Sequence, residues 1–171
     1  MKGLLQRVSR AAVSVDGEVI GAIAAGLCVL VGVGHEDDEH DADLLAERLI
    51  GLRIFEDQQG KMNRSLVEIG GSMLVVSQFT LMADTRRGRR PSFVAAAAPD
   101  RAAALIERVV SVVRAGGIEV ATGRFGTHMK IDIGADGPVT LMLDTRERRS
   151  GSRQESVPGQ RDRPAGGEHD G

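Results

Sequence analysis

The sequence predicts a single α/β (α+β) domain built on one mixed β-sheet with two main helices. Three observations lead there. Two continuous apolar runs, Gly26 to Val33 and Met73 to Leu81, suit buried central strands. Two later segments carry apolar residues at helical spacing. Short alternating stretches bounded by turn residues open and close the chain. The length of 171 residues fits one domain, and a hydrophobic share of 42% excludes global disorder. With four Phe and no Tyr or Trp, the core has to be aliphatic.

Taken in order, Leu4 to Val8 and Ala11 to Val15 alternate as two short strands. Asp16-Gly17 is a strong hairpin turn leading into a strand over Glu18 to Ile23. After the Gly26 to Val33 run, Asp37 or Asp38 can cap a helix over 39–52, whose stripe is Ala42, Leu45, Ala46, Leu49 and Leu52. The Met73 to Leu81 strand turns polar at its far end. Pro99 and Asp100 open the second helix, Leu105, Ile106, Val109, Val110 and Val113 form its buried stripe, and Gly116-Gly117 ends it. Ile118 to Ala121, His128 to Ile133 and Val139 to Asp144 read as closing strands.

The composition breaks near residue 145. Residues 146–171 hold six Arg and five acidic residues but only Val157 and Ala165 as apolar side chains besides proline. Too little surface can be buried there to offset ordering, which predicts a disordered polar tail. Residues 1–145 carry 16 basic against 19 acidic side chains, a net charge of −3. That argues against strong, nonspecific nucleic-acid binding. No apolar run reaches the ~18 residues of a membrane span, and charge interrupts the N-terminus too early for a signal peptide. One cysteine makes neither an internal disulfide nor a Cys-based zinc site. The expectation is a cytoplasmic protein with no metal and no cofactor.

Familiar catalytic patterns are missing: no Gly-x-Ser-x-Gly elbow, no Walker loop, no His-Glu-x-x-His helix. The acidic stretch Glu36 to Glu39 beside His35 and His40 is explained more simply by a helix N-terminus than by a metal. Cys28, inside an apolar strand, reads as core. Of the four histidines, His128 alone suits acid–base work, and a partly exposed strand position accounts for it as well.

Three segments stand out. In Ser77-Gln78-Phe79-Thr80-Leu81 an apolar run gives way to three hydrogen-bonding side chains. A strand leaving the sheet there would free backbone N–H groups able to bind an oxyanion. Asp136-Gly137-Pro138-Val139-Thr140 reads on periodicity alone as a plain turn, although an X-Pro bond is also open to the cis form. Between them, Arg86, Arg87, Arg89 and Arg90 put four arginines into five residues, either a solvated loop or a phosphate-binding patch.

Together SQFTL at 77–81, ADTRRGRRPSF at 83–93, Gly123-Arg124-Phe125 and DGPVT at 136–140, with the opening LLQRVSRAAVSVDGEV, resemble the D-aminoacyl-tRNA deacylase family across residues 1–144. The resemblance implies a homodimer that acts on the aminoacyl-tRNA 3′ end. It would hydrolyse the ester of D-aminoacyl-tRNA and of glycine mischarged on alanine tRNA. Ser77, Gln78, Phe79 and Thr80 would line the site, with the Phe79 and Thr80 amides holding the ester carbonyl. Gly137 and Pro138 would form a cis pair inserted from the partner subunit to hold the amino group and exclude L side chains. Arg7 would orient that pair, and Phe125 and Met129 would shape the adenosine pocket. The tRNA 2′-hydroxyl would assist water. Ala135 departs from the Asn common in the family. Two other readings compete: a small esterase with Thr80 as nucleophile, and a non-catalytic tRNA-binding dimer using the arginines.

Overall fold

In the computed structural model, which describes residues 1–86 and 88–146, Lys2–Val15 form one strand, β1. The expected break at Ser9-Arg10 does not occur. Both side chains are exposed, and pairing along both edges keeps the backbone extended through them. On one edge β1 pairs antiparallel first with β3 (Gly26–Gly32) and then with β2 (Glu18–Ile23). On the other it pairs antiparallel with β8 (Lys130–Asp144) from Lys2 to Ser14. The β1–β2 turn is Asp16-Gly17, whose φ angles of 52° and 86° give the left-handed conformation that a two-residue hairpin favours.

β3 continues the sheet through parallel pairing with β6 (Ser72–Ser77), which pairs in parallel with β7 (Glu119–Thr122). The path is β2-β1-β3-β6-β7, with β8 on the free edge of β1. The sheet curls enough to bring its ends together: a Cβ on Gly21 of β2 would stand 2.8 Å from the Thr122 carbonyl of β7.

Several boundaries differ from the sequence reading. β6 stops at Ser77 instead of running to Leu81. The two closing strands are one strand, β8, and His128 lies in the loop before it. β7 sits one residue later than expected, at Glu119–Thr122. A hairpin of β4 (Arg53–Glu56) and β5 (Met62–Ser65) was not predicted, because it carries too few apolar residues to show alternation. A polar turn holds it together: the Asp57 carboxylate accepts from the Gln59 and Lys61 amides and from Asn63 Nδ2, which keeps its carboxyl below the usual range.

α1 (Glu39–Gly51) and α2 (Pro99–Ala115) share a core with one face of the sheet, where Leu45, Leu49, Val109 and Val113 meet Leu5, Val29 and Met73. The opposite face buries a smaller set, Val8, Val13, Cys28, Leu74 and Val76. Asp38 caps α1: its side chain accepts the Asp41 amide at 3.1 Å, while the Asp41 carboxylate accepts the Asp38 amide at 3.1 Å. The other candidate cap, Asp37, is buried and pairs with the Met1 amino group at 2.9 Å. Arg108 of α2 forks onto Asp43 of α1 at 2.7 and 2.8 Å. α2 opens on Pro99 and closes at Gly116-Gly117, as the sequence indicates. Of the polar tail expected over 146–171, Arg146 alone lies within the described residues.

Replacing Asp38 with Ala removes the side-chain acceptor of the Asp41 amide, leaves the backbone half of the reciprocal cap, and is expected to lower stability by about 1 kcal/mol. Urea unfolding followed by far-UV circular dichroism measures it. An unchanged midpoint would show that the cap does not hold the helix.

Candidate functional site

The polar end of β6 leaves the sheet abruptly. The Gln78 amide still donates to the Val31 carbonyl of β3 at 2.8 Å, after which Phe79–Met82 wind into one 3-10 turn. Within the turn Leu81 N–H donates to the Gln78 carbonyl and Ala83 N–H to that of Thr80. The amides of Phe79 and Thr80 come first in the turn and have no carbonyl behind them to reach. Gly32 of β3 makes room for this geometry. A Cβ there would meet Leu81 Cβ at 2.9 Å and the Gln78 carbonyl at 3.0 Å. The Gln78 side-chain amide donates to Thr80 Oγ1, so that hydroxyl is engaged by an amide and not by a base.

The turn borders a cavity of about 690 Å³ beyond the carboxyl ends of the parallel strands β3 and β6. Its wall is largely apolar, with Val31, Val76, Ala97, Ile106, Phe125 and Met129 among the lining residues. Of the predicted site residues, Ser77, Gln78, Phe79, Phe125 and Met129 line it, and Thr80 is the next residue on the turn. His128 lines it too, from the loop before β8. Phe93, which had no predicted role, also lines it and packs edge-to-face on Phe79 with centroids 5.0 Å apart. Its signal in the sequence was that it is one of only four aromatic residues.

Arg7, Gly137 and Pro138 lie elsewhere. The Gly137–Pro138 peptide bond is cis, so the pair is not the plain turn that periodicity favours. It sits within β8, where the register against β1 jumps from Val8↔Ala135 to Gln6↔Thr140. Arg7 faces this gap with its side chain 7% exposed. Its Nε lies 3.2 Å from the Asp136 carbonyl and 3.1 Å from the Asp136 carboxylate, and its Nη1 donates to the Ile54 carbonyl at 2.7 Å. Gly137 and Pro138 are exposed. The start of β8 reaches the cavity through Ile131, but neither Gly137 nor Pro138 lines the cavity of its own chain.

The arginine loop is closed by paired main-chain bonds between Asp84 and Ser92 at 2.8 and 2.9 Å. Arg86 turns back onto Asp84 through two bonds of 2.9 and 2.7 Å, which hold that carboxyl well below the usual carboxylate range. Arg89 and Arg90 are exposed, and neither makes an ion pair among the described residues. Arg87 lies outside the described residues. Cys28 is buried, and desolvation pushes its thiol up to about 11, in keeping with a core residue. No helix among the described residues is long and apolar enough to cross a membrane.

The family model described as D-Tyr-tRNA(Tyr) deacylase matches residues 4–144. The chain belongs to that family. A D-aminoacyl-tRNA deacylase of Symbiobacterium thermophilum is 55% identical over 147 residues, covering 86% of this chain and 97% of its own. One of Heliobacterium modesticaldum is 57% identical over 146 residues, covering 85% and 97%. Among solved structures, one titled c-Myc DNA Unwinding Element Binding Protein superposes with a TM-score of 0.79 at 36% identity, over 84% of this chain and 98% of that one. A probable eukaryotic D-amino acid tRNA deacylase shares the fold, with a TM-score of 0.72 at 20% identity, over 83% and 97%. The four motifs that carry the resemblance all lie inside the stretch matched by the family.

Arg7 is a buried cation that links β1 to β4, through the Ile54 carbonyl, and to Asp136 beside the cis pair. Arg7→Met would strand the Ile54 and Asp136 carbonyls and is expected to cost roughly 1.5–3 kcal/mol, the range for hydrogen bonds to a charged group. Arg7→Lys should recover part of it, since one ammonium cannot reproduce the fork. Equal unfolding midpoints for wild type and Arg7→Met in urea would refute the assignment.

Proposed function

We propose that the protein hydrolyses the ester of D-aminoacyl-tRNA, releasing free tRNA and the D-amino acid, and that it does so as a homodimer. Membership of a deacylase family makes it a hydrolase of such esters. The observation that carries the reading is a juxtaposition: main-chain amides of Phe79 and Thr80, without acceptors in their own turn, at the rim of an apolar cavity large enough for a nucleoside.

The chemistry follows from that placement. Adenosine of the tRNA 3′ end occupies the cavity, with Phe125 and Met129 shaping the wall around it. The Phe79 and Thr80 amides donate to the ester carbonyl oxygen as it gains negative charge, the usual work of an oxyanion hole. Water, assisted by the tRNA 2′-hydroxyl, adds to the carbonyl carbon. The bond to the ribose oxygen then breaks, and that oxygen takes up a proton. An aminoacyl ester is activated enough that positioning supplies most of what is needed, without a histidine or cysteine. Ser77 and Gln78 hold the turn and the rim.

Gly137 and Pro138 are the chiral filter, presented to the cavity of the partner subunit. In support, they are exposed, follow the Asp136 that Arg7 holds, and are not among the residues lining their own cavity. Ile133, Leu141 and Met142 on the same edge strand are 37–50% exposed, an apolar edge that a second copy would cover. A rigid carbonyl wall that rejects L side chains by clash and unpaired polar groups admits glycine, which has none. Glycine mischarged on alanine tRNA is therefore a second substrate. Arg89 and Arg90 contact tRNA phosphates and Arg87 acts with them, while Arg86 contributes less because Asp84 already neutralises it. The compartment is the cytoplasm, where charged tRNA is found.

Deacylation of D-Tyr-tRNA, L-Tyr-tRNA and Gly-tRNA by the purified protein tests the reading. Fast release from the first and third with slow release from the second is expected, and equal rates on both enantiomers would sink the filter. Thr80→Ala should lower kcat by less than about tenfold and form no acyl adduct by mass spectrometry, because the oxyanion donors are main-chain amides. Loss of all activity, with an adduct on the wild type, would make Thr80 a nucleophile instead. Phe79→Pro and Pro138→Asp should each be inactive alone. After subunit exchange they should together recover roughly a quarter of wild-type activity, because half of the dimers are mixed and each holds one intact composite site. No recovery would place both segments in one chain's site.

A further inference from the structure

Aromatic side chains in this protein are few and oddly placed. Phe55 is buried, while Phe79, Phe93 and Phe125 all line the cavity and are 58%, 37% and 41% exposed; of these, Phe79 and Phe93 pack on each other. Their rings meet edge-to-face at 65°, which leaves part of a ring face open to solvent. Val94 beside them is 88% exposed. Large apolar rings are normally buried, so a paired and exposed set beside a cavity is a surface awaiting a flat partner. Phe93 also closes the arginine loop: Arg89 and Arg90 precede it by four and three residues, and the Asp84–Ser92 bridge ties the loop's base directly beside it.

We infer that Phe79 and Phe93 form a stacking platform for the base preceding the terminal nucleoside, while Arg89 and Arg90 hold the phosphate that enters with it. The inference rests on the proposed placement of a terminal adenosine in the cavity and extends it by one nucleotide. A strand whose last nucleoside is enclosed must leave through the rim, and its next base is then unstacked from its neighbour. An aromatic face beside cationic side chains is the usual device for such a base in single-stranded nucleic acid. Charge favours RNA over a peptide or a second copy of the chain. This rim carries the exposed Arg89 and Arg90, which attract phosphate and repel the same loop of a second copy. Stacking is indifferent to base identity, so the platform would secure the end of any tRNA without reading its sequence.

The probe is a short single-stranded RNA ending in adenosine, with 2-aminopurine one position before the end. Wild-type protein should quench its fluorescence on binding. Phe93→Leu should weaken binding by at least about fivefold and abolish most of the quench, Phe93→Tyr should restore both, and Arg90→Gln should flatten the salt dependence. With D-aminoacyl-tRNA, Phe93→Leu should raise KM several-fold at nearly constant kcat. On D-aminoacyl-adenosine, which has no preceding base, the loss should be much smaller. Wild-type affinity for the RNA probe in Phe93→Leu, an equal loss on both esters, or a changed oligomeric state would each overturn the platform. The last would show that the rings pack against a second copy. Failure of the deacylase reading looks different: the wild type would bind and quench the probe yet release no amino acid from D-aminoacyl-tRNA.

Discussion

One strand bears most of the architecture. β1 is hydrogen-bonded along both edges to three strands drawn from the two ends of the chain. Every later feature is located by it. β3 and β6 are carried on one side, and their carboxyl ends bound the cavity. β8 is carried on the other, with its irregular register opposite Arg7. The double pairing also explains why a buried guanidinium is tolerated at Arg7. The gap in the ladder leaves the Asp136 carbonyl turned toward β1, and the Ile54 carbonyl approaches from the β4–β5 hairpin. The cation is buried only because these acceptors are already there.

Legibility in the sequence followed the strength of the local signal. Both helices were readable because their apolar stripes, the candidate caps Asp37 and Asp38, Pro99 and Gly116-Gly117 all agree. The central strands were readable as apolar runs, and Asp16-Gly17 as a turn. The continuity of β1 and β8 was not, because Ser9-Arg10 and Gly134 to Pro138 look like breaks until partners on the neighbouring strands are in place. The β4–β5 hairpin was hidden for a related reason, being held by a polar turn around Asp57.

The candidate site divides the same way. The polar residues at the end of β6 drew attention as a strand that changes character, and the structure places them on a turn beside the cavity. Gly137-Pro138 was visible only as a turn until the family pattern gave it weight. Phe93 carried no periodic signal, and Ile106 read simply as part of the second helix's buried stripe. A cavity wall assembled from four separate segments leaves no local mark in the chain. The low net charge was misleading in one respect: it reflects the whole surface, while the positive charge is gathered into one loop.

In the proposed mechanism the donors at Phe79 and Thr80 belong to the main chain, and that has an evolutionary consequence. Side chains on the turn can drift without removing an N–H, so the proposed donors are largely shielded from ordinary point substitution. The vulnerable positions are those that set the path of the backbone. Gly32 is one, since any side chain there would press on Leu81 and the Gln78 carbonyl. A site of this kind depends on a glycine one strand away for its fidelity, and inheritance of the function is inheritance of a backbone shape.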